Sequence, residues 1–185
     1  RNTNLAIQLS PGDRFLNMMP QFHLQALASI LAQWYAGGSV VCTPGFDPSN
    51  FLSWIGDLQP TWYTAGPTLH QSILMLLGHH ALPHPLRFLR SIGAPMTPEL
   101  LHALENGIGA PVLEGYGLSE TGLVASNPLP PMCRKPGSVG IPFGTEIDIL
   151  DSSGARMPVG REGEIVLRGP AVTSGYLDPA DANAA

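Results

Sequence analysis

From residue 13 to residue 116, short β-prone apolar runs alternate with helical stretches, and Gly or Pro stands at almost every join. Residues 13–19 (DRFLNMM) are apolar and stop at Pro20. Residues 39–42 (SVVC), 61–64 (TWYT), 86–92 (LRFLRSI) and 111–116 (PVLEGY) have the same character. Between them, residues 23–35 (HLQALASILAQWY) repeat apolar side chains at helical spacing up to Gly37-Gly38. Residues 47–55 open on Asp47-Pro48, residues 67–77 (PTLHQSILMLL) close on Gly78, and residues 97–107 open on Thr97-Pro98 and end at Gly107. Asp or Thr caps a helix by accepting from a free backbone N–H, and Pro suits the first helical position because its φ is already helical. Strands separated by helices of this length cross over to lie parallel. The pattern therefore predicts an α/β fold: a mainly parallel sheet with flanking helices.

Beyond residue 136 the periodicity changes. Residues 146–150 (EIDIL) and 163–168 (GEIVLR) alternate polar and apolar side chains, as half-exposed strands do, and Asp151-Ser152-Ser153-Gly154 reads as the hairpin turn between them. This divides the chain into an α/β subdomain, residues 1–136, and the start of a β-rich subdomain, residues 137–185, which forms a small antiparallel part of a partial barrel. The Pro-rich residues 127–136 (NPLPPMCRKP) are the expected linker.

Composition removes several function classes. The chain is 44% hydrophobic and 12% charged, so it can bury a core and is not disordered. Its net charge of −5, without a basic run, gives no footprint for nucleic acid. Cys42 and Cys133 lack ligand spacing, which argues against zinc and for reduced thiols in a cytoplasmic protein. No apolar run reaches the roughly 20 residues of a membrane span. The first residues, Arg1-Asn2-Thr3-Asn4, contain neither an initiator Met nor a signal peptide, and the expectation is a piece of a longer protein. Exposed sheet edges could also pair between copies, giving a homo-oligomer.

In an open α/β sheet, ligands sit at the carboxyl ends of the strands. The segments expected there are Pro20-Gln21-Phe22-His23, Gly93-Ala94-Pro95, and residues 114–122, EGYGLSETG. In the last, Gly115, Gly117 and Gly122 let backbone approach a ligand closely. Tyr116 offers a face for a base, Ser119 and Thr121 offer hydroxyls for phosphate, and Glu120 is a hard oxygen ligand suited to Mg²⁺. His70, His79, His80, His84 and His102 share no spacing with His23 and read as surface or packing residues. Glu162 and Glu164 share one strand face toward solvent, and Met18-Met19 and Trp34-Tyr35 read as core.

GYGLSETG resembles the YG-x-(T/S)-E signature of the adenylate-forming (ANL) superfamily, which includes acyl-CoA synthetases, aryl-CoA ligases, luciferases and peptide-synthetase adenylation domains. Further matches follow in order. Pro20 to His23 resembles P-x-FH, residues 63–68 (YTAGPT) a turn beside the acyl pocket, and residues 91–96 (SIGAPM) SGAAPL. Residues 137–142 (GSVGIP) are similar to GSVG-x-P, and residues 160–177 to G-x-x-GE(I/L) running to GY. The resemblance implies an ATP-dependent ligase of the acyl- or aryl-CoA synthetase type, with ATP, Mg²⁺ and CoA as its cofactors and a small-molecule carboxylic acid as its partner. It implies that Tyr116 stacks on adenine, with Gly93, Ala94, Pro95, Glu114, Gly115 and Gly117 around the nucleotide. Ser119 would hold the α-phosphate and Glu120 the metal. His23 stands where amino-acid-activating relatives carry Asp, so it suits an acid without an amine. Side chains around Gln21, Ala65, Gly66, Ile92, Gly117 and Leu123 would set the acid pocket. An enzyme that loads a carrier protein instead of CoA, or an inert structural core, remains an alternative. A Rossmann dehydrogenase fits less well, since no G-x-G-x-x-G follows a strand.

The same resemblance leaves the phosphate loop with its lysine, the ribose-binding aspartate and the C-terminal domain outside these residues. The isolated 185 residues are therefore expected to lack ligase activity. The remaining contacts contribute roughly 0.5–3 kcal/mol each, against an association cost of roughly 4–15 kcal/mol. Calorimetric titration with ATP-Mg²⁺ should find nothing tighter than about millimolar. Micromolar binding, or any acid-dependent pyrophosphate exchange, would contradict this.

Overall fold

The structure is a computed structural model that describes residues 2–78, 84–177 and 183. A short helix α1 (Asn2–Ile7) precedes the alternation read above. Then come β1 (Arg14–Asn17), α2 (Leu24–Tyr35), β2 (Ser39–Cys42), α3 (Pro48–Leu58), β3 (Trp62–Ala65), α4 (Pro67–Leu77), β4 (Phe88–Ser91), α5 (Pro98–Ile108) and β5 (Val112–Leu118). Two more strands, β6 (Gly122–Ser126) and β7 (Ile141–Pro142), complete a seven-stranded sheet of order β2-β1-β3-β4-β5-β6-β7. The pairings from β2 to β5 are parallel, and those of β6 with β5 and β7 are antiparallel. The hairpin β8 (Glu146–Leu150) with β9 (Glu164–Arg168) forms a separate antiparallel sheet. The expected α/β fold, a mainly parallel sheet with a small antiparallel part, is what the chain adopts.

Strand alternation sends neighbouring residues to opposite faces. Phe15, Trp62, Phe88 and Leu113 point to one side, where they meet Ile7 of α1 and Ile30 of α2. Leu16, Tyr63, Leu89 and Val112 point to the other, against Phe51, Ile73 and Leu104 of α3, α4 and α5. Every residue of β3 and of β4 is buried, as expected for parallel strands covered on both faces. Trp62 stacks between Phe15 and Phe88, with ring centroids 4.2 and 5.4 Å away, and its indole N–H donates to buried Gln33 at 2.7 Å.

The expected caps form. Asp47 accepts from Ser49 N at 2.9 Å and Thr97 from Leu100 N at 3.3 Å, each followed by proline in the first turn. Other expectations are corrected. Gly107 does not end α5. It lies inside the helix, where a Cβ would come 3.3 Å from Leu74 of α4, and the left-handed residue that stops the helix is Gly109, φ 83°. The turn at residues 151–154 does not join β8 to β9. It folds the chain back so that Met157 N donates to Ile149 O, and the chain reaches β9 only after a second turn. Trp34 and Tyr35 are not core: they are 61% and 71% exposed, because Leu27, Leu31 and Trp34 form the outer stripe of α2 while Ala26, Ile30 and Gln33 face the sheet. Met18 is buried and Met19 half-buried. His70 packs in the interior with Nε2 on Arg90 O, and burial pushes its pKa down to about 4. His102 is exposed, His84 contacts the Ile108 carbonyl, and His79 and His80 lie outside the described residues. The Pro-rich segment 127–136 is tied down: Asn127 Nδ2 donates to Ser138 O at 2.6 Å, and Arg134 pairs with Glu105.

At the amino ends of the strands, Asp13 closes the fold. Its carboxylate accepts from Ser10 N and Oγ, from Thr61 Oγ1 before β3, and from Arg87 before β4 at 2.5 Å. Burial alone would raise this carboxyl, but the donors from Arg87, Thr61 and Ser10 outweigh it and hold it below the usual aspartate value. Removing it leaves several donors without an acceptor, so Asp13→Ala should cost about 1–3 kcal/mol. A carboxyl held low contributes stability in full above its unfolded value and loses it as pH falls through the folded one. Urea midpoints of wild type and Asp13→Ala should therefore differ at pH 7 and converge below about pH 4, close to the ordinary aspartate value. Equal midpoints at pH 7 would contradict this role.

Candidate functional site

The glycine-rich stretch expected at the strand ends is a β-hairpin. β5 runs on to Leu118, turns over Ser119 and Glu120, and returns as β6. The glycines serve close pairing as well as turning. A Cβ on Gly117 would stand 2.2 Å from Gly122 O, and one on Gly115 would stand 3.2 Å from Ala125 O. Gly122 adopts φ 64°, which lets the chain reverse. Thr121 is corrected: it is buried, and its hydroxyl accepts from Leu118 N at 3.2 Å and donates to Gly122 O, so it closes the turn rather than facing a ligand.

The hairpin tip overhangs a cavity of about 180 Å³ at the carboxyl ends of the strands. His23, Gly93, Gly117 and Ser119 line it together, although they come from separate segments of the sequence. Of the side chains expected to shape an acid pocket, Ile92 and Leu123 also line it. Gln21, Ala65 and Gly66 do not; Ala65 is sealed inside β3. His23 caps α2 through its extended backbone (φ −76°, ψ 131°) without a side-chain capping bond, so its exposed imidazole stays free beside Phe22, ring centroids 4.8 Å apart.

The other expected residues lie outside that cavity. Ala94 and Pro95 are exposed beyond Gly93. Tyr116 is half-buried opposite Ala125. Glu114 is 7% exposed; its Oε2 accepts from Gly137 N at 3.0 Å, and burial pushes its carboxyl above the usual glutamate value, partly offset by that N–H. Glu120 accepts from the Tyr176 hydroxyl, which holds its carboxylate below the usual value and raises the Tyr176 phenol. Thr173 N donates to the Glu120 carbonyl at 2.7 Å, so the segment after β9 is tied to the hairpin tip. Among the described residues, no cluster of three His, Cys, Asp or Glu could hold a metal by itself, and no helix is long and apolar enough to cross a membrane.

Two further residues at the cavity escaped the sequence reading. Gln25, in the first turn of α2, donates from Nε2 to Thr64 Oγ1 at 2.5 Å. Arg90 is 2% exposed in β4, lines the cavity, and has Nε and Nη2 without any hydrogen-bond partner. Burial pushes its pKa down to about 10, so it remains a cation at neutral pH. Its signal was present: an arginine inside an apolar strand that both faces of the sheet must bury.

The profile of the AMP-binding enzyme family matches residues 2–177. A probable CoA ligase of Humulus lupulus is 41% identical over 194 residues, covering 100% of this chain and 37% of its own length. An oxalate–CoA ligase of Arabidopsis thaliana is 39% identical, again covering 100% of this chain and 37% of its own length. Among solved structures, ATP-bound MatB from Rhodopseudomonas palustris superposes with a TM-score of 0.89 at 28% identity, over 99% of this chain and 37% of that one. The chain thus spans a little over a third of these relatives.

Proposed function

The chain belongs to the AMP-binding enzyme family, and we propose that it is the substrate-facing core of a ligase that joins a small carboxylic acid to CoA while ATP is cleaved to AMP and pyrophosphate. The observation that carries this reading is the meeting of His23, Gly93, Gly117 and Ser119 around one cavity at the carboxyl ends of the strands. Relatives named as CoA ligases match the chain from end to end, which supports CoA over a carrier protein as acceptor, and one of them is named for oxalate, which supports a small acid.

On this reading the acid enters the cavity and its carboxylate oxygen attacks the α-phosphorus of ATP. An acyl–phosphate bond forms and pyrophosphate leaves. The CoA sulfur then bonds the acyl carbon, its proton is lost, and AMP departs. The protein's part is positioning and charge stabilisation. Ser119, exposed at the hairpin tip, offers a hydroxyl to the α-phosphate. Tyr116, Ala94, Pro95, Glu114 and Gly115 lie off the cavity and would border the nucleotide. His23 faces the acid. An ionised glutamate at a solvent-reached tip suits Mg²⁺, which is commonly held by one or two carboxylates plus phosphate oxygens and water. Glu120 would hold it, and the ion would supply neutralising charge to the polyphosphate.

Two substitutions in the full-length ligase test this. Glu120→Gln should keep the fold and lower acid-dependent pyrophosphate exchange by about 2–4 kcal/mol in transition-state terms, comparable to the loss of an oxyanion donor. Near-wild-type exchange would remove Glu120 from the metal site. His23→Ala should raise KM for the acid while leaving ATP affinity within a few-fold. A roughly tenfold fall in ATP affinity with unchanged acid saturation would put His23 on the nucleotide side; tenfold corresponds to about 1.4 kcal/mol.

A further inference from the structure

The guanidinium of Arg90 is buried in the sheet, and its Nε and Nη2 are unpartnered. The ion pairs among the described residues use Arg87, Arg134, Arg156 and Arg168, not Arg90. A buried cation without a counter-ion is costly, and a protein keeps one where an anion completes it. Arg90 lines the cavity whose rim carries Ser119, and among the described residues no Asp or Glu lines that cavity. Ile92 and Leu123 make the surroundings apolar, which strengthens any charge pair formed there. Among the described residues the site thus holds a positive charge with unpartnered N–H groups and no protein acid to match it.

We propose that Arg90 binds a second anionic group on the acid, so that the ligase acts on short dianionic acids in preference to monocarboxylic ones. This rests on the ligase reading above. The distal anion sits against the deep guanidinium, whose charge and N–H groups suit a carboxylate or sulfonate. The reacting carboxylate then points outward to Ser119. A cavity of about 180 Å³ has room for two acidic groups on a short spacer. Gln25, anchored on Thr64, adds a polar wall beside them.

The test is pyrophosphate exchange by the full-length ligase with pairs of acids that differ only in the second carboxylate: malonate and propionate, succinate and butyrate, glutarate and pentanoate. For at least one pair the wild type should favour the diacid in kcat/KM by about tenfold or more. Arg90→Met should lower the diacid's kcat/KM by about 30-fold or more, as expected when one partner of a buried charge pair is truncated. Its monoacid partner should be unchanged or improved. Arg90→Lys, which keeps the charge but not the fork, should recover part of the loss. Equal use of both acids in every pair by the wild type overturns the proposal without any variant having to fold. An equal loss for both acids in Arg90→Met also overturns it and makes Arg90 structural. Exchange with monoacids and no diacid preference removes only this role and leaves the ligase reading standing. Exchange with no acid of any kind overturns both.

Discussion

The stack of Phe15, Trp62 and Phe88 across β1, β3 and β4 is the contact on which the remaining architecture depends. It fills one face of the sheet, while Leu16, Tyr63 and Leu89, one residue along each strand, fill the other. Strands buried on both faces have no solvent-facing side on which to display polar chemistry. Groups that must meet a ligand are therefore confined to strand ends. At the amino ends, Asp13 draws Ser10, Thr61 and Arg87 together. The carboxyl ends stay open and hold the cavity.

At β5 the sheet changes from parallel to antiparallel, and this change places the candidate chemistry. A crossover helix after β5 would have carried the chain away along one face. The hairpin instead returns it at once, so Ser119 and Glu120 stand at a tip supported by two paired strands. Such a reversal needs backbones closer than side chains permit, which is why Gly117 cannot carry a Cβ without striking Gly122 O. The tip is further held by Thr121 inside the turn and by Thr173 and Tyr176 from beyond β9. Preorganisation of this kind is what a site needs if its hydroxyl is to meet a phosphate, and its carboxylate a metal ion, without a reordering cost.

The parallel strands and their helices were legible because periodicity, caps and stops agreed. α4 and β2 fall on their expected bounds, and Asp47 and Thr97 cap where expected. The failures share a cause. The sequence suggests a helix end at Gly107 and a ligand approach at Gly117, whereas each marks close approach of two elements, a tertiary fact that local sequence does not encode. Trp34 and Tyr35 read as core because apolarity alone does not say which side a neighbour occupies. Within the site, His23, Gly93, Gly117 and Ser119 were legible through motif resemblance. Gln25 was not, since it matters only through its partner on another element; Arg90 left a signal, an arginine inside an apolar strand, but its lack of a partner shows only in the fold.

Arg87 and Arg90 make that last distinction concrete. They stand three residues apart, Arg87 just before β4 and Arg90 near its carboxyl end. Arg87 meets the carboxylate of Asp13, and the pair fastens the closed end of the sheet. Arg90 is more deeply buried and meets no carboxylate among the described residues. Folding alone gives no reason for the difference, because an apolar side chain at position 90 would fit a buried strand at lower cost. The sheet satisfies its cation where it is sealed and leaves one unsatisfied where it is open. A charge kept at a cost to stability, in the wall of a cavity lined by no acid among the described residues, has its compensation in whatever enters that cavity.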